Sequence, residues 1–116
     1  MKMDRINAGP AAVQADEDRA LAPWMAGRAE KVAGFLKALS HEGRLMILCH
    51  LAGGEKSVTE LEGLLGQRQA AVSQQLARLR LEELVSTRRD GKAIFYRIDD
   101  ARTLAQLRFL AEISDL

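Results

Sequence analysis

Residues 57–97 constrain this chain more than any other stretch, because their apolar period changes once and specific start and stop signals bracket the change. Ser57-Val58-Thr59-Glu60 has the S-x-x-E form of a capping box. There, serine hydroxyl and glutamate carboxylate each satisfy the other residue's backbone N–H at a helix start. Val58, Leu61, Leu64 and Leu65 give that helix an inner face, and Gly66 closes it. Leu65, Val72, Leu76 and Leu79 then recur at three- and four-residue steps, the period of a second helix with one buried face. Beyond Leu81-Glu82-Glu83 the period falls to two. Leu84–Arg88 and Ala93–Ile98 are β-rich runs on either side of Arg89-Asp90-Gly91-Lys92, and Asp-Gly between such runs signals a hairpin. Helix, tight turn, helix and hairpin spell a winged helix-turn-helix, mainly α with a small β wing.

The second helix of this pair has the chemistry of a DNA reader. Its outward face carries Gln69, Ser73, Gln74, Arg78 and Arg80, with no acidic residue between Gly66 and Leu81. Ala70 and Ala71 are small enough for close approach to base edges. Glutamine bonds adenine bidentately, and serine and glutamine also serve phosphates. Around the hairpin turn, Arg88, Arg89 and Lys92 offer cations to phosphates or to an adjacent minor groove.

The whole chain has 116 residues and a net charge of +1, which bounds it to one domain without a generally basic coat. The distribution matters more: Gln67–Arg97 holds seven Lys and Arg against three Asp and Glu, a polyanion footprint on an otherwise acidic body. No apolar run reaches membrane-spanning length and no signal-peptide core opens the chain, so a cytoplasmic location is expected. One cysteine, Cys49, excludes an intramolecular disulfide.

Residues 1–18 mix Gly9, Pro10 and the acidic Asp16-Glu17-Asp18 and are expected to form a flexible tail, leaving residues 19–116 as the folded domain. A helical stripe runs through Trp24, Val32, Phe35, Leu36 and Leu39. Ser40 is placed as a break and N-cap, and Arg44–Leu51 is apolar enough all round for a central helix. Asp99 or Asp100 opens a last helix with two stripes, Leu104, Leu107 and Leu110 on one, Phe109, Ile113 and Leu116 on the other. That is more apolar surface than a single winged domain covers. It implies a homodimer, with Trp24, Phe35, Leu104, Leu107 and Leu110 at its interface.

From about Val32 to Ile98 the chain resembles the ArsR/SmtB-type bacterial repressors. The resemblance is carried by Leu36-Lys37-Ala38-Leu39-Ser40-His41-Glu42-Gly43-Arg44-Leu45-Met46-Ile47-Leu48, Ser57–Leu61, Ala71–Arg80 and Leu84–Tyr96 in that order. It implies a homodimer that binds an inverted-repeat DNA operator and represses transcription until an inducer releases it. It also implies base contacts from Gln69, Ala70, Ser73, Gln74 and Gln75. Relatives often have serine where this chain has Arg68, which adds a phosphate partner and loses a cap.

The metal-sensing members carry Cys-x-Cys in the third helix or His and Asp pairs in the last. Thr59–Leu64 has no sulfur and the last helix no histidine, so no metal and no cofactor is expected. The sulfide- or redox-responsive subgroup, with some likeness to nodulation regulators, carries a second-helix cysteine that Cys49 matches. Its second cysteine falls on Asp115, beside Ser114. Cys49 is thus either the sensor of a small thiol-reactive inducer acting alone or a small core residue. An enzyme is not expected, since Cys49 and His50 are sequence neighbours that do not face each other. A winged protein–protein adaptor and a constitutive repressor without thiol sensing are the rival readings.

Overall fold

The computed structural model describes residues 16–114. Most of the expected tail, together with Asp115 and Leu116, lies outside them; residues 16–19 are helical. The described residues divide into two units, one ending at Ala33 and the other beginning at Gly34.

In chain order the elements are α1 (Leu21–Ala26), α2 (Ala29–Leu39), α3 (Glu42–Ala52), β1 (Lys56–Ser57), α4 (Val58–Leu65), α5 (Gln69–Leu81), β2 (Ser86–Asp90), β3 (Ala93–Arg97) and α6 (Ala101–Glu112). The stripe expected from Trp24 to Leu39 is interrupted at Gly27-Arg28, where Gly27, a weak helix former, caps α1 and donates to the Met25 carbonyl. Ser40 is not the cap of α3. Its hydroxyl donates to the Lys37 carbonyl at 2.7 Å and so finishes α2. The cap is His41, whose Nδ1 accepts from the Gly43 backbone N–H at 3.0 Å.

The helix-turn-helix forms as its local signals dictate. Ser57 Oγ accepts from the Glu60 N–H at 3.1 Å, and the Ser57 N–H donates to Glu60 Oε1 at 2.8 Å. Gly66 ends α4 in the left-handed region, φ 64°, which costs glycine little. Asp100 caps α6 by accepting from the Arg102 N–H.

The hairpin is tighter than its sequence suggests. Asp90 pairs with Ala93, so only Gly91 and Lys92 form the loop and Arg89 belongs to the strand. Residues 56 and 57, directly ahead of α4, add a third strand: Lys56 pairs with Tyr96 and Ser57 with Phe95, giving the antiparallel order β1-β3-β2.

In the second unit, α5 packs on both α3 and α4. Ile47 and Leu48 from α3, Leu61 from α4, and Val72, Leu76 and Leu79 from α5 are fully buried, each contributing about 1.5–3 kcal/mol by removal from water. Leu64, expected on the inner face of α4, is 52% exposed. Leu107 also departs from expectation: it is 8% exposed and belongs to the core of the single chain, so it is not unpartnered interface surface. Phe35 and Leu110 pack partly buried against the same core, and Leu104 is half-buried.

α5 ends in a Schellman motif without glycine. The Leu84 N–H bonds the Leu79 carbonyl at 3.0 Å and the Glu83 N–H bonds the Arg80 carbonyl at 2.9 Å. This holds Glu83 at φ 60°, a region that disfavours residues with a Cβ. Glu83→Gly is therefore expected to stabilise the fold by about 1 kcal/mol. An unchanged or lower urea midpoint would show that the Glu83 side chain compensates.

Candidate nucleic-acid interface

The exposed side of α5 is built from its buried side outward. With Val72, Leu76 and Leu79 fixed in the core, helical geometry turns Gln69, Ala70, Ser73 and Gln74 to solvent. Arg68 precedes them as an exposed N-cap without a side-chain capping bond. Gln75 and Arg78 sit differently: both are half-buried. Gln75 lies directly on Gly43 of α3, where an added Cβ would come within 2.6 Å of its Nε2. Arg78 faces Glu82, Nε to Oε2, at 3.6 Å.

The wing is braced rather than loose. Arg88 Nε and a terminal guanidinium nitrogen donate to the two carboxylate oxygens of Glu55, both at 2.7 Å, and the guanidinium lies 4.6 Å from the Phe95 ring centroid. Arg88, expected as a loop cation, is thus occupied at the root of the wing, with Asp90 3.9 Å away as a second carboxylate. At the far end of β2, Ser86 donates to Asp99 at 2.5 Å and Arg97 to the same carboxylate at 2.7 Å. Of the seven cations in Gln67–Arg97, Arg78, Arg88 and Arg97 face carboxylates. Among the described residues, Arg68, Arg80, Arg89 and Lys92 have no ion pair. They are all exposed, and Lys92 is at the tip.

Sequence reasoning missed Glu55. The only available signal was the single acidic residue between Gly54 and Lys56, and its partner is 33 residues away. The hydrogen bonds from Arg88 hold the Glu55 carboxyl below its ordinary range, and those from Ser86 and then Arg97 do the same for Asp99. Carboxyls lowered in the folded state add stability above their unfolded values, and this is lost as pH falls through the lowered ones. Wild type is therefore expected to melt above Glu55→Gln at pH values above 4.5, with the two curves converging as the pH is taken below it. A gap that persists unchanged into acid would assign the effect to something other than this pair.

Cys49 is exposed on α3. Trp24 is 54% exposed on α1, with Arg28 4.2 Å over its ring. Among the described residues, no group of three or more His, Cys, Asp or Glu side chains is arranged to hold a metal ion, and no helix is long and apolar enough to cross a membrane.

A recognition helix seated on two others, followed by a hairpin of a three-stranded sheet that carries exposed cations, defines a winged helix-turn-helix regulator of transcription. Comparison with known proteins makes this specific. Residues 41–87 match the family model described as bacterial regulatory protein, arsR family. The biofilm growth-associated repressor of Agrobacterium fabrum is 47% identical over 91 residues, covering 78% of this chain and 78% of its own. The crystal structure of the transcriptional repressor BigR from Xylella fastidiosa superposes with a TM-score of 0.73 at 47% identity, covering 77% of this chain and 91% of that one. The solution structure of the homodimeric winged helix-turn-helix DNA-binding domain Mb0332 from Mycobacterium bovis superposes at 0.71 with 31% identity, covering 78% and 84%. The chain belongs to the ArsR family of bacterial transcriptional regulators. Its relatives are regulators with a DNA-binding fold and not enzymes.

Proposed function

We propose that this protein acts in the cytoplasm as a homodimeric repressor that binds an inverted-repeat operator, one α5 to each of two successive major grooves. The observation that carries this reading is the carboxylate-free exposed face of α5, Gln69, Ala70, Ser73 and Gln74, next to the unpaired Arg68 and Arg80. Gln69 and Gln74 supply base contacts, while Arg68, and Arg89 and Lys92 on the wing, supply phosphate contacts. Homodimerisation is supported by the homodimeric neighbour from Mycobacterium bovis and by apolar side chains left at the surface. These are Phe109 on α6 and Trp24 on α1, with Phe35, Leu104 and Leu110 partly open. A protein–protein adaptor would have no use for these unpaired cations.

Gln74→Ala is expected to cost about 1–3 kcal/mol on the specific site and little on random duplex. An equal loss on both would make Gln74 a positioning contact.

The exposure of Cys49 favours a thiol-reactive inducer over a constitutive repressor. Modification at Cys49 would act from α3, which packs directly against α5. With one cysteine in the chain, the product is a persulfide, a sulfenic acid or a mixed disulfide. Polysulfide or peroxide is expected to weaken operator binding by wild type and leave Cys49→Ser unaffected. Equal responses by the two proteins would remove Cys49 from the mechanism.

A further inference from the structure

Between the start of α3 and the flank of α5 lies an open cleft of about 370 Å³, lined by His41, Arg44, Ala71, Gln74, Gln75 and Arg78. Three of these six carry basic groups, two are amides, and none is acidic. We propose that this cleft is a seat for one phosphate group, supplied by the DNA backbone beside the groove that α5 reads. The proposal rests on the operator-binding reading and adds to it a defined phosphate site on α3.

What separates the cleft from an ordinary basic surface is that its donors are already held in place. Arg44 Nε donates to the Ala38 carbonyl at 2.7 Å and a terminal nitrogen donates to the Lys37 carbonyl at 3.1 Å. Its stem is thereby fixed, while further N–H groups of the fork stay available. His41 spends Nδ1 on the Gly43 N–H, so the neutral ring carries its proton on Nε2, as a donor. Arg78 is steadied by Glu82 at 3.6 Å, yet its Nε is buried with no hydrogen-bond partner, as is Oε1 of Gln75. A side-chain amide can turn over to present its NH₂ where its oxygen stood, so Gln75 can also donate. Buried polar groups of this kind are costly to leave unpaired. A phosphate in the cleft would accept from the outer N–H groups of the Arg44 and Arg78 forks.

Location selects the source. Ala71, Gln74, Gln75 and Arg78 follow one another at helical spacing down the side of α5 next to its outward face, and Gln74 belongs to both. A helix lying in the major groove has the sugar–phosphate backbone along its flanks, and this flank carries fixed donors. Gly43 leaves room for the Gln75 side chain beside the cleft, since an added Cβ would come within 2.6 Å of its Nε2.

The test uses Arg78→Gln and, separately, His41→Asn; asparagine is itself a good N-cap and keeps α3 started. Each variant, checked for an unchanged circular-dichroism spectrum, is titrated with duplex from upstream of its own gene at several salt concentrations. One arm adds inorganic phosphate to ¹⁵N-labelled protein without DNA. The expected result is a shallower dependence of log affinity on log salt, by about 0.9 per protomer for Arg78→Gln, and weaker binding with an unchanged slope for His41→Asn, which removes a neutral donor. An unchanged slope for Arg78→Gln together with saturable shifts of the Gly43 and Ala71 amides in inorganic phosphate would keep the seat and assign it to a free phosphate. An unchanged slope for Arg78→Gln with amides that do not move overturns the proposal. Failure of the wild type to bind any duplex would sink the operator reading instead, and the phosphate titration alone then decides the seat.

Discussion

The seating of α5 is the constraint on which the rest depends. Val72, Leu76 and Leu79 have no solvent exposure, and they meet Ile47, Leu48 and Leu61, which have none either. Close-packed interiors do not slide, so this contact sets the rotation of α5 about its own axis. It thereby sets which side chains face outward. A turn of one residue, about 100° for a helix of 3.6 residues per turn, would put Ser73, Ala77 and Arg80, or Ala71, Gln75 and Arg78, where Val72, Leu76 and Leu79 now sit. Reading capacity is in this sense a property of the interior.

Charge is organised by the same logic of fixed geometry. Seven cations fall between Gln67 and Arg97, but Glu82, Glu55 and Asp99 engage three of them. Such solvent-washed pairs are worth little in stability. Their effect is to stiffen: Glu55 clamps the middle of β2, and Asp99 ties the start of β2 to the end of β3. The cations left over are those at the start of α5, late on its exposed side, and toward the wing tip. The basic surface is narrower than the sequence count suggests, and it is better aimed.

Much of this was legible in the sequence because its causes are local. The capping box at Ser57 and Glu60, the left-handed Gly66, the Asp-Gly hairpin and the cap at Asp100 each depend on residues within a few positions. The fold followed from them. What could not be read depends on partners distant in the chain. Strand β1 exists only because Tyr96 and Phe95 offer an edge to Lys56 and Ser57. Leu107 carried the same pattern as its stripe neighbours, and only the packing of α6 on α3 makes it core. Ser40 and His41 were both competent to cap, and the choice went to His41 because the Ser40 hydroxyl had a carbonyl of α2 to serve. For the site, the outward residues of α5 were evident from periodicity. The inward turn of Gln75 and the bracing of Arg88 were not, since Gly43 and Glu55 gave no sign of their partners.

The sheet order has one more consequence. With β3 in the centre and β1 only two residues long, β2 is, among the described residues, the extended strand with a free side, and a free side invites pairing with another copy of the chain. Along β2 stand Arg88, Arg89 and Asp90, while the apolar Ile94, Phe95 and Tyr96 are confined to the interior strand. Like charges brought together by such pairing would repel. The exposed Arg89 on this edge therefore works against edge-to-edge pairing of two copies, apart from any contact with DNA.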